Sequence, residues 1–291
     1  MRDHNSYFSV DQMARVLGVI RSGYYDFLKR PPSSRALKNE ELLSKIRIIS
    51  KASHETYGSP RIHAELIEQG YSCSRPTIAR LMKAHAIQAK MYKQFKKTTK
   101  QSKRPYYRGQ DLVQQNFSSS LPNTIWVANF SQIPIYNKWV YLAVILDLFS
   151  RKVVGMALQE TMKAELVVEA LTAALLLRNP PEGLIHHSDL GGQFTSHILY
   201  KKAQEYGITL SHGKTGCSYD NAAMESFFHT LKTELTRFKT YQTLEEAKHD
   251  IFAYIYTFYN SKRRHSTLNY QSPNQWEINY QKNQTISVHS V

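Results

Sequence analysis

Residues 124–135 read TIWVANFSQIPI, and residues 138–149 follow with KWVYLAVILDLF. Both are rich in β-branched and aromatic side chains, as is KVVGMAL at 152–158. With turns near Asn137 and Ser150, these three runs predict three consecutive strands. Downstream, KAELVVEALTAALLLR has the character of a helix and is ended by NPPEG. LIHHS is a short strand that enters a glycine-rich loop, DLGGQ. TSHILYKKAQEYG predicts a helix and ITLSH another short strand. Two further helices follow, in SYDNAAMESFFHTLKTELTRF and TLEEAKHDIFAYIYTFYN, the second opened by the capping-box pair Thr243 and Glu246. This order fits an α/β fold, a mixed sheet flanked by helices.

The sequence upstream is different in character. Ser9 and Gln12 form a capping-box pattern before VDQMARVL, Gly18 marks a turn, and RSGYYDFLKR resumes helical spacing until Pro31 and Pro32 stop it. A second helical unit runs through KNEELLSKIRIISKA, SPRIHAELIEQG and SCSRPTIARLMKAH. Gly70 supplies a turn there, and Pro76 suits the first turn of the last helix. Short helices joined in this way fit helix-turn-helix modules, and equally any small helical bundle. Arg75, Arg80 and Lys83 on the last helix are the candidates for contact with DNA. The organisation predicted is a first helix-turn-helix-like segment at 1–34, a second module at 35–88, a basic linker at 89–120, the α/β core at 121–280 and a tail at 281–291.

Charge separates the two halves. The chain of 291 residues has a formal net charge of +15, yet residues 1–120 hold 22 Lys/Arg against 9 Asp/Glu, and the rest hold 16 against 14. Between Glu68 and Asp111 there are 11 cations and no acid. Such asymmetry fits a polyanionic partner, because neutralising phosphates releases counterions. Lys96, Lys97, Lys103 and Arg104 of the linker, with Tyr106 and Tyr107 among its cations, are candidates for tracking a backbone and stacking on a base. Two cysteines, Cys73 and Cys217, form neither a disulfide framework nor a zinc motif and fit free thiols in a reducing cytoplasm. No apolar run is long enough for a membrane span or a secretory signal.

Three positions could carry chemistry. Asp189 ends a predicted strand just before Gly191 and Gly192, where α/β folds commonly place ligands. Glu225 lies in a predicted helix with His229 and Lys232 on its face, four and seven residues on. Asn129 stands in WVAN. Taken singly, each suits an ordinary surface or structural role. Taken together, WVAN, HHSDLGGQFTS and SYDNAAMESFFHTLKTEL, with 35 residues between Asp189 and Glu225, resemble the catalytic core of the integrase-like transposases. The match extends from FSVDQMARVLGVIRSGYYDFLKRPP through YGSPRIHAELIEQGY and YLAVILDLFSRKVVGMAL to YNSKRRHSTLNYQSP, and over that length the chain resembles the transposases of the IS3 group of bacterial insertion sequences.

The resemblance implies an RNase H-like core with Asn129 on the first strand, Asp189 after the fourth and Glu225 on a following helix. The family holds two divalent cations there with three carboxylates, Mg²⁺ by preference and Mn²⁺ as an alternative; hard cations take oxygen ligands. Water then attacks DNA in strand cleavage, and a freed 3′ hydroxyl attacks in strand transfer. Lys232 matches a basic residue that contacts DNA near the cut, Gln193 and Asn221 are weaker positioning candidates, and Arg263 and Arg264 of RRHS are candidate DNA contacts. His186 and His187 fit strand-end packing or phosphate contact better than catalysis. Implied partners are double-stranded DNA (the element's terminal inverted repeats and a target), a second copy of the chain and a companion upstream product, with no membrane; the implied place is the bacterial cytoplasm, on the nucleoid. Where the family has Asp, however, Asn129 is neutral, so impaired strand transfer is expected. Asp147 on the next predicted strand is the nearest substitute. Two origins fit the asparagine, an exchange made to trap a DNA complex and the decay of an element. The competing functions are a non-catalytic DNA-binding regulator and a general RNase H-like nuclease.

Overall fold

The computed structural model describes residues 1–90, 105–213 and 221–288; Lys96, Lys97, Lys103 and Arg104 lie outside the described residues. Helix α1, Val10–Leu17, starts on a complete capping box, with the Ser9 hydroxyl accepting from the Gln12 N–H and the Gln12 side chain accepting from the Ser9 N–H. Gly18 ends it with φ of 64°, a left-handed conformation that glycine adopts without steric penalty. Helix α2, Arg21–Lys29, completes this pair. The second unit consists of α3, Ser34–Ala52, α4, Ser59–Glu68, and α5, Arg75–Ala84. Pro60 and Pro76 occupy the first turns of α4 and α5, and Pro76 does so as the sequence suggests. Leu42, Ile46, Ile49, Ile62, Leu66 and Ile78 are its buried apolar faces.

Five strands make one sheet in the order β3-β2-β1-β4-β5. Strands β1, Ile125–Ile135, β2, Lys138–Asp147, and β3, Val153–Gln159, pair antiparallel, whereas β4, Ile185–Ser188, and β5, Thr209–His212, run parallel to β1 on its other side. Side chains of period two divide β1 between two cores. Trp126, Ala128 and Phe130 join the apolar cluster formed with α6, Ala164–Arg178, and α7, His197–Glu205. Val127, Ile133 and Ile135 join the opposite cluster. That second cluster holds α8, Ala222–Glu234, and α9, Leu244–Ala253, with the π-helical stretch Tyr254–Tyr259, and it continues without a break into the core of α3, α4 and α5. The second helical module therefore packs against the helices on one face of the sheet.

Charged and aromatic contacts fix that docking. The Tyr57 hydroxyl accepts from the Arg264 N–H at 2.9 Å, and the His54 ring meets the Phe258 ring edge-on at 5.4 Å between centroids. Arg264 donates through Nε to Glu65 at 2.5 Å and also pairs with Glu68, both on α4. Arg263 is 4% exposed and donates from Nε and Nη2 to Glu234 at 2.7–3.0 Å. In the chain alone, both arginines expected to contact DNA are thus paired within the protein. Their guanidiniums are engaged by carboxylates brought in from α8 and α4, partners far away along the chain.

Segments on both sides of the core also pack on it. Residues 105–118, expected within a basic linker, run along the core: the Gly109 N–H donates to His212 Nδ1 at 2.9 Å, the Leu112 N–H to Ser211 Oγ at 3.0 Å, and Val113 is buried. A Cβ on Gly109 would lie 2.1 Å from the Leu210 carbonyl oxygen, so only glycine permits this close run beside β5. Tyr107 packs on Tyr200 at 4.7 Å and Tyr106 meets His197 at 4.8 Å, so both rings already have aromatic neighbours. At the other end, α10, Pro273–Val288, continues past the boundary expected at residue 280. Its Glu277 accepts from both Arg178 nitrogens at 2.8 and 2.9 Å, from Lys152 at 3.0 Å and from the Ser150 hydroxyl at 2.8 Å.

Candidate active site

Asn129 belongs to β1 opposite Val144 of β2. On the other side, the parallel register pairs Trp126 with His186 and Val127 with His187. Carried two residues further, it sets Asn129 level with Asp189, one residue past the end of β4. Alternation along β1 puts Asn129 on the same face as Val127, the face covered by α8. The start of α8 is fastened there: the Asn221 side-chain amide donates to the Ala128 carbonyl at 3.0 Å. Glu225 follows within the first turns of that helix, and Met224, Phe227, Phe228 and Leu231 bury its apolar face against the sheet.

The loop after β4 is shaped around Asp189. The Gly191 N–H donates to Asp189 Oδ1 at 3.0 Å, and a Cβ on Gly191 would crowd that same oxygen at 2.9 Å. The Gly191 carbonyl in turn accepts from the Phe194 and Thr195 N–H groups at 3.1 Å. Gln193 donates to the Met162 carbonyl at 2.9 Å and ties this loop to the segment before α6. Burial raises the Asp189 carboxyl above its ordinary range, and the Gly191 N–H offsets part of that. Asn129 Oδ1 accepts from the Phe130 N–H at 2.8 Å. Lys232 is half-buried two turns after Glu225, and burial followed by the charge of Arg237 lowers its pKa.

The histidines beside Asp189 are structural. His186 is 1% exposed, and burial, then His212 and His187, push its pKa down to about 3, so it stays neutral. His187 bonds the Ser211 hydroxyl at 2.9 Å across to β5. His212 accepts the Gly109 N–H on Nδ1, which leaves Nε2 to donate to the Phe194 carbonyl at 3.2 Å. Asp147 is also occupied. It is fully buried, accepts from the Asn123 and Phe149 N–H groups, and lies 3.6 Å from Arg178. Its register partner is Trp126, three residues along β1 from Asn129 and about 10 Å away at strand rise. Asp147 therefore serves the junction with α6 and α10 and does not replace an aspartate at 129.

Arg75, Arg80 and Lys83 are exposed on α5, and none of them has a carboxylate partner among the described residues. Among the described residues no group of three or more His, Cys, Asp or Glu side chains could hold a metal, and no helix is long and apolar enough to cross a membrane. What sequence reasoning missed is Glu234, the carboxylate joining Arg263, Arg61 and the Tyr254 hydroxyl. Its position nine residues after Glu225 on α8 gives no local signal.

Comparison with known proteins agrees with this architecture. Models described as "Integrase core domain" match residues 119–218 and 225–280, and one described as "HTH-like domain" matches residues 37–95. The chain is 38% identical over 261 residues to the "Insertion element IS600 uncharacterized 31 kDa protein" of Shigella sonnei, covering 90% of this chain and 96% of that one. It is 34% identical over 282 residues to the "Transposase InsF for insertion sequence IS3A" of Escherichia coli K12, covering 94% and 96%. Among solved structures, the HTLV-2 integrase catalytic core domain in complex with magnesium matches with TM-score 0.43 and 19% identity over 54% of this chain and 97% of that one. A simian T-cell lymphotropic virus intasome matches with TM-score 0.47 and 14% identity over 79% and 73%. By length and identity of match to its curated relatives, the chain belongs to the IS3-family transposases, with an integrase-type α/β core behind a helix-turn-helix-like module.

Proposed function

We propose that this chain binds the ends of its element and that Asn129, Asp189 and Glu225 form its phosphoryl-transfer site, impaired by the missing charge at residue 129. The observation that supports the reading is the register that sets Asn129 level with Asp189, together with the Asn221 bond that fastens the start of the Glu225 helix to the neighbouring Ala128. The donor set suits a hard divalent cation at two positions of three. Asp189 and Glu225 would hold Mg²⁺ or Mn²⁺ by carboxylate oxygens, and such a cation supplies charge stabilisation at the reacting phosphate. Asn129 fits poorly, because it is neutral and its one carbonyl oxygen already accepts from the Phe130 N–H. Burial that lifts the Asp189 carboxyl makes a nearby positive charge the natural stabiliser of its ionised form.

The same reading assigns DNA contact to Arg75, Arg80 and Lys83 on the exposed side of α5 and to Lys232 beside the reacting centre. Lys96, Lys97, Lys103 and Arg104 belong to the same proposal through their charge. The element's terminal repeats and a target duplex are the substrates, at least two copies act on paired ends, and a companion upstream product completes recognition. A second reading, a regulator that occupies ends without cutting, is favoured by Asn129 alone.

The deciding experiment compares this chain with Asn129→Asp on its own element ends in Mg²⁺. A full charge beside a divalent cation is worth about 8 kcal/mol at an effective dielectric near 20, and carboxylate desolvation takes back several kcal/mol. A net gain of about 3 kcal/mol is on the order of 10²-fold in cation affinity. Asn129→Asp is expected to cut and join DNA where the parent does not. Equal, measurable cutting by the two chains refutes the assigned site, and unchanged binding with no chemistry in either supports the regulator.

A further inference from the structure

A cavity of about 280 Å³ opens beside the first turns of α8, on a side of the helix adjoining Glu225. Three guanidiniums line it: Arg61 from α4, Arg151 from the turn between β2 and β3, and Arg263 from the segment after the π-helical stretch. One carboxylate balances them. Glu234 holds Arg263 in a forked pair and lies 3.8 Å from Arg61. Arg151 has no carboxylate partner among the described residues and donates instead to the Phe117 carbonyl at 2.6 Å. Three cations against one anion leave an excess of two positive charges in a half-buried space.

The remaining walls do not remove that excess. His265 is kept neutral, because burial first, and then Arg263, Arg61 and Arg151, push its pKa well below the usual range. Leu146, Phe227 and Tyr259 form a buried floor. The hydroxyls of Ser226, Thr230, Ser266 and Thr267 also line the cavity, and three of these residues, Ser226, Ser266 and Thr267, are exposed at its mouth. Ala222 and Ala223, from the first turn of α8, present the positive end of the helix dipole on the same wall. Asn221 does not cap that turn, since its amide reaches Ala128 instead. Guanidiniums withdrawn from water without a counter-charge are costly, and an anion with several acceptor oxygens offsets that cost while taking hydrogen bonds from every wall.

We propose that this cavity seats one phosphate group, supplied by the DNA backbone next to the phosphate that reacts at Asn129, Asp189 and Glu225. The proposal rests on the transposase reading of that site. Ser226 follows Glu225 directly, so a phosphate held here sets the duplex against the start of α8. It would also join three parts of the chain, the helix-turn-helix-like module through Arg61, the sheet through Arg151 and the segment before α10 through Arg263. DNA engagement would then tighten the docking of the module on the core.

Two measurements on the full chain test this, and neither uses strand transfer, so they stand apart from the Asn129→Asp experiment. The first is thermal unfolding in phosphate against chloride at matched ionic strength. The second is anisotropy of a labelled element-end duplex titrated from about 50 to 200 mM salt. In the parent chain, phosphate is expected to raise Tm saturably and to weaken DNA binding more than chloride does. Arg151→Gln is expected to lose the phosphate response and to flatten the slope of log K against log salt by about 0.9, so that its affinity deficit shrinks about 3.5-fold across that range; Arg151→Lys is expected to recover the slope. An unchanged slope in a folded Arg151→Gln chain overturns the assignment to DNA, and if phosphate still protects the parent, the cavity serves a free anion. Should Arg151→Gln not fold by circular dichroism, the parent alone decides: phosphate and chloride competing equally with DNA overturns the proposal.

Discussion

Glu234→Gln is the substitution to which the assembly should be most sensitive. The Glu234 side chain is 5% exposed, and it takes Arg263 (4% exposed) by three bonds of 2.7–3.0 Å, the Tyr254 hydroxyl at 2.6 Å and Arg61 at 3.8 Å. Glutamine keeps the shape but removes the charge, so Arg263 stays buried with no counter-anion. Breaking a buried pair from one side costs about 3–5 kcal/mol, and for a chain of this size that lowers Tm by about 10 °C. Glu65→Gln is the control, since Glu65 is 27% exposed on its side chain and a more solvated pair is worth about 1 kcal/mol or less. Urea unfolding of both variants, followed by tryptophan fluorescence, measures the difference. Loss of module docking should appear as a lower midpoint for residues of α3 to α5 in hydrogen exchange. A Glu234→Gln loss below about 1 kcal/mol, or one no larger than that of Glu65→Gln, would refute the view that this carboxylate clamps module to core.

Two further outcomes follow from the site and its support. Asp147 should make stability depend on pH: burial lifts its carboxyl to about 6 against an ordinary 3.8, so the folded chain binds the proton more tightly than the unfolded one. Stability from this group is then highest below pH 3.8 and falls as pH rises to about 6, by about 3 kcal/mol in all. Comparing urea midpoints of parent and Asp147→Asn at pH 4 and 7 isolates it, and a difference that does not change with pH would contradict the assignment. Asn221→Ala, placed in an Asn129→Asp background, removes the bond to Ala128 and should lower stability by about 1–2 kcal/mol while cutting activity more than binding. Equal loss of activity and of DNA affinity would show that Asn221 does not position the Glu225 helix.

Features set by neighbours in sequence were legible and those set by distant pairing were not. The Ser9–Gln12 capping box forms as read. The Thr243 hydroxyl accepts from the Glu246 N–H as expected, although the Glu246 carboxylate turns back to the N–H of Gln242, one residue earlier than a capping box requires. Strands β1 to β3 announced themselves because each supplies many β-branched residues to a face. Strand β4 is short and bears two histidines, yet it is buried, because neighbours on both sides satisfy its backbone and ring nitrogens find Ser211 or stay neutral. The carboxylate partners of Arg263 and Arg264 could not be read from the sequence, since Glu65, Glu68 and Glu234 reach them only in the folded chain. The course of the chain at Tyr106 and Tyr107 was equally hidden. A basic run with tyrosines fits a mobile tether until Gly109 lets the backbone lie against Leu210.

The charge at residue 129 is separable from the fold that presents it. Helix α8 is held to the sheet by Met224, Phe227, Phe228 and Leu231 and by Asn221 at its start, and to Arg263 by Glu234 at its end, none of which involves the Asn129 side chain. The hydrogen bond that side chain makes, from the Phe130 N–H to Oδ1, can be accepted equally by an aspartate. Asn129→Asp should therefore leave the unfolding midpoint nearly unchanged in the absence of cation, apart from the modest repulsion between new and existing carboxylates. In Mg²⁺ the same variant should gain stability by mass action, about 2.7 kcal/mol at a cation concentration 100 times its Kd, and the parent should gain far less. A cation-dependent difference in midpoint reports the site without any DNA present. Its absence would mean that the residue at 129 does not face the cation at all, whatever the cleavage assay returned.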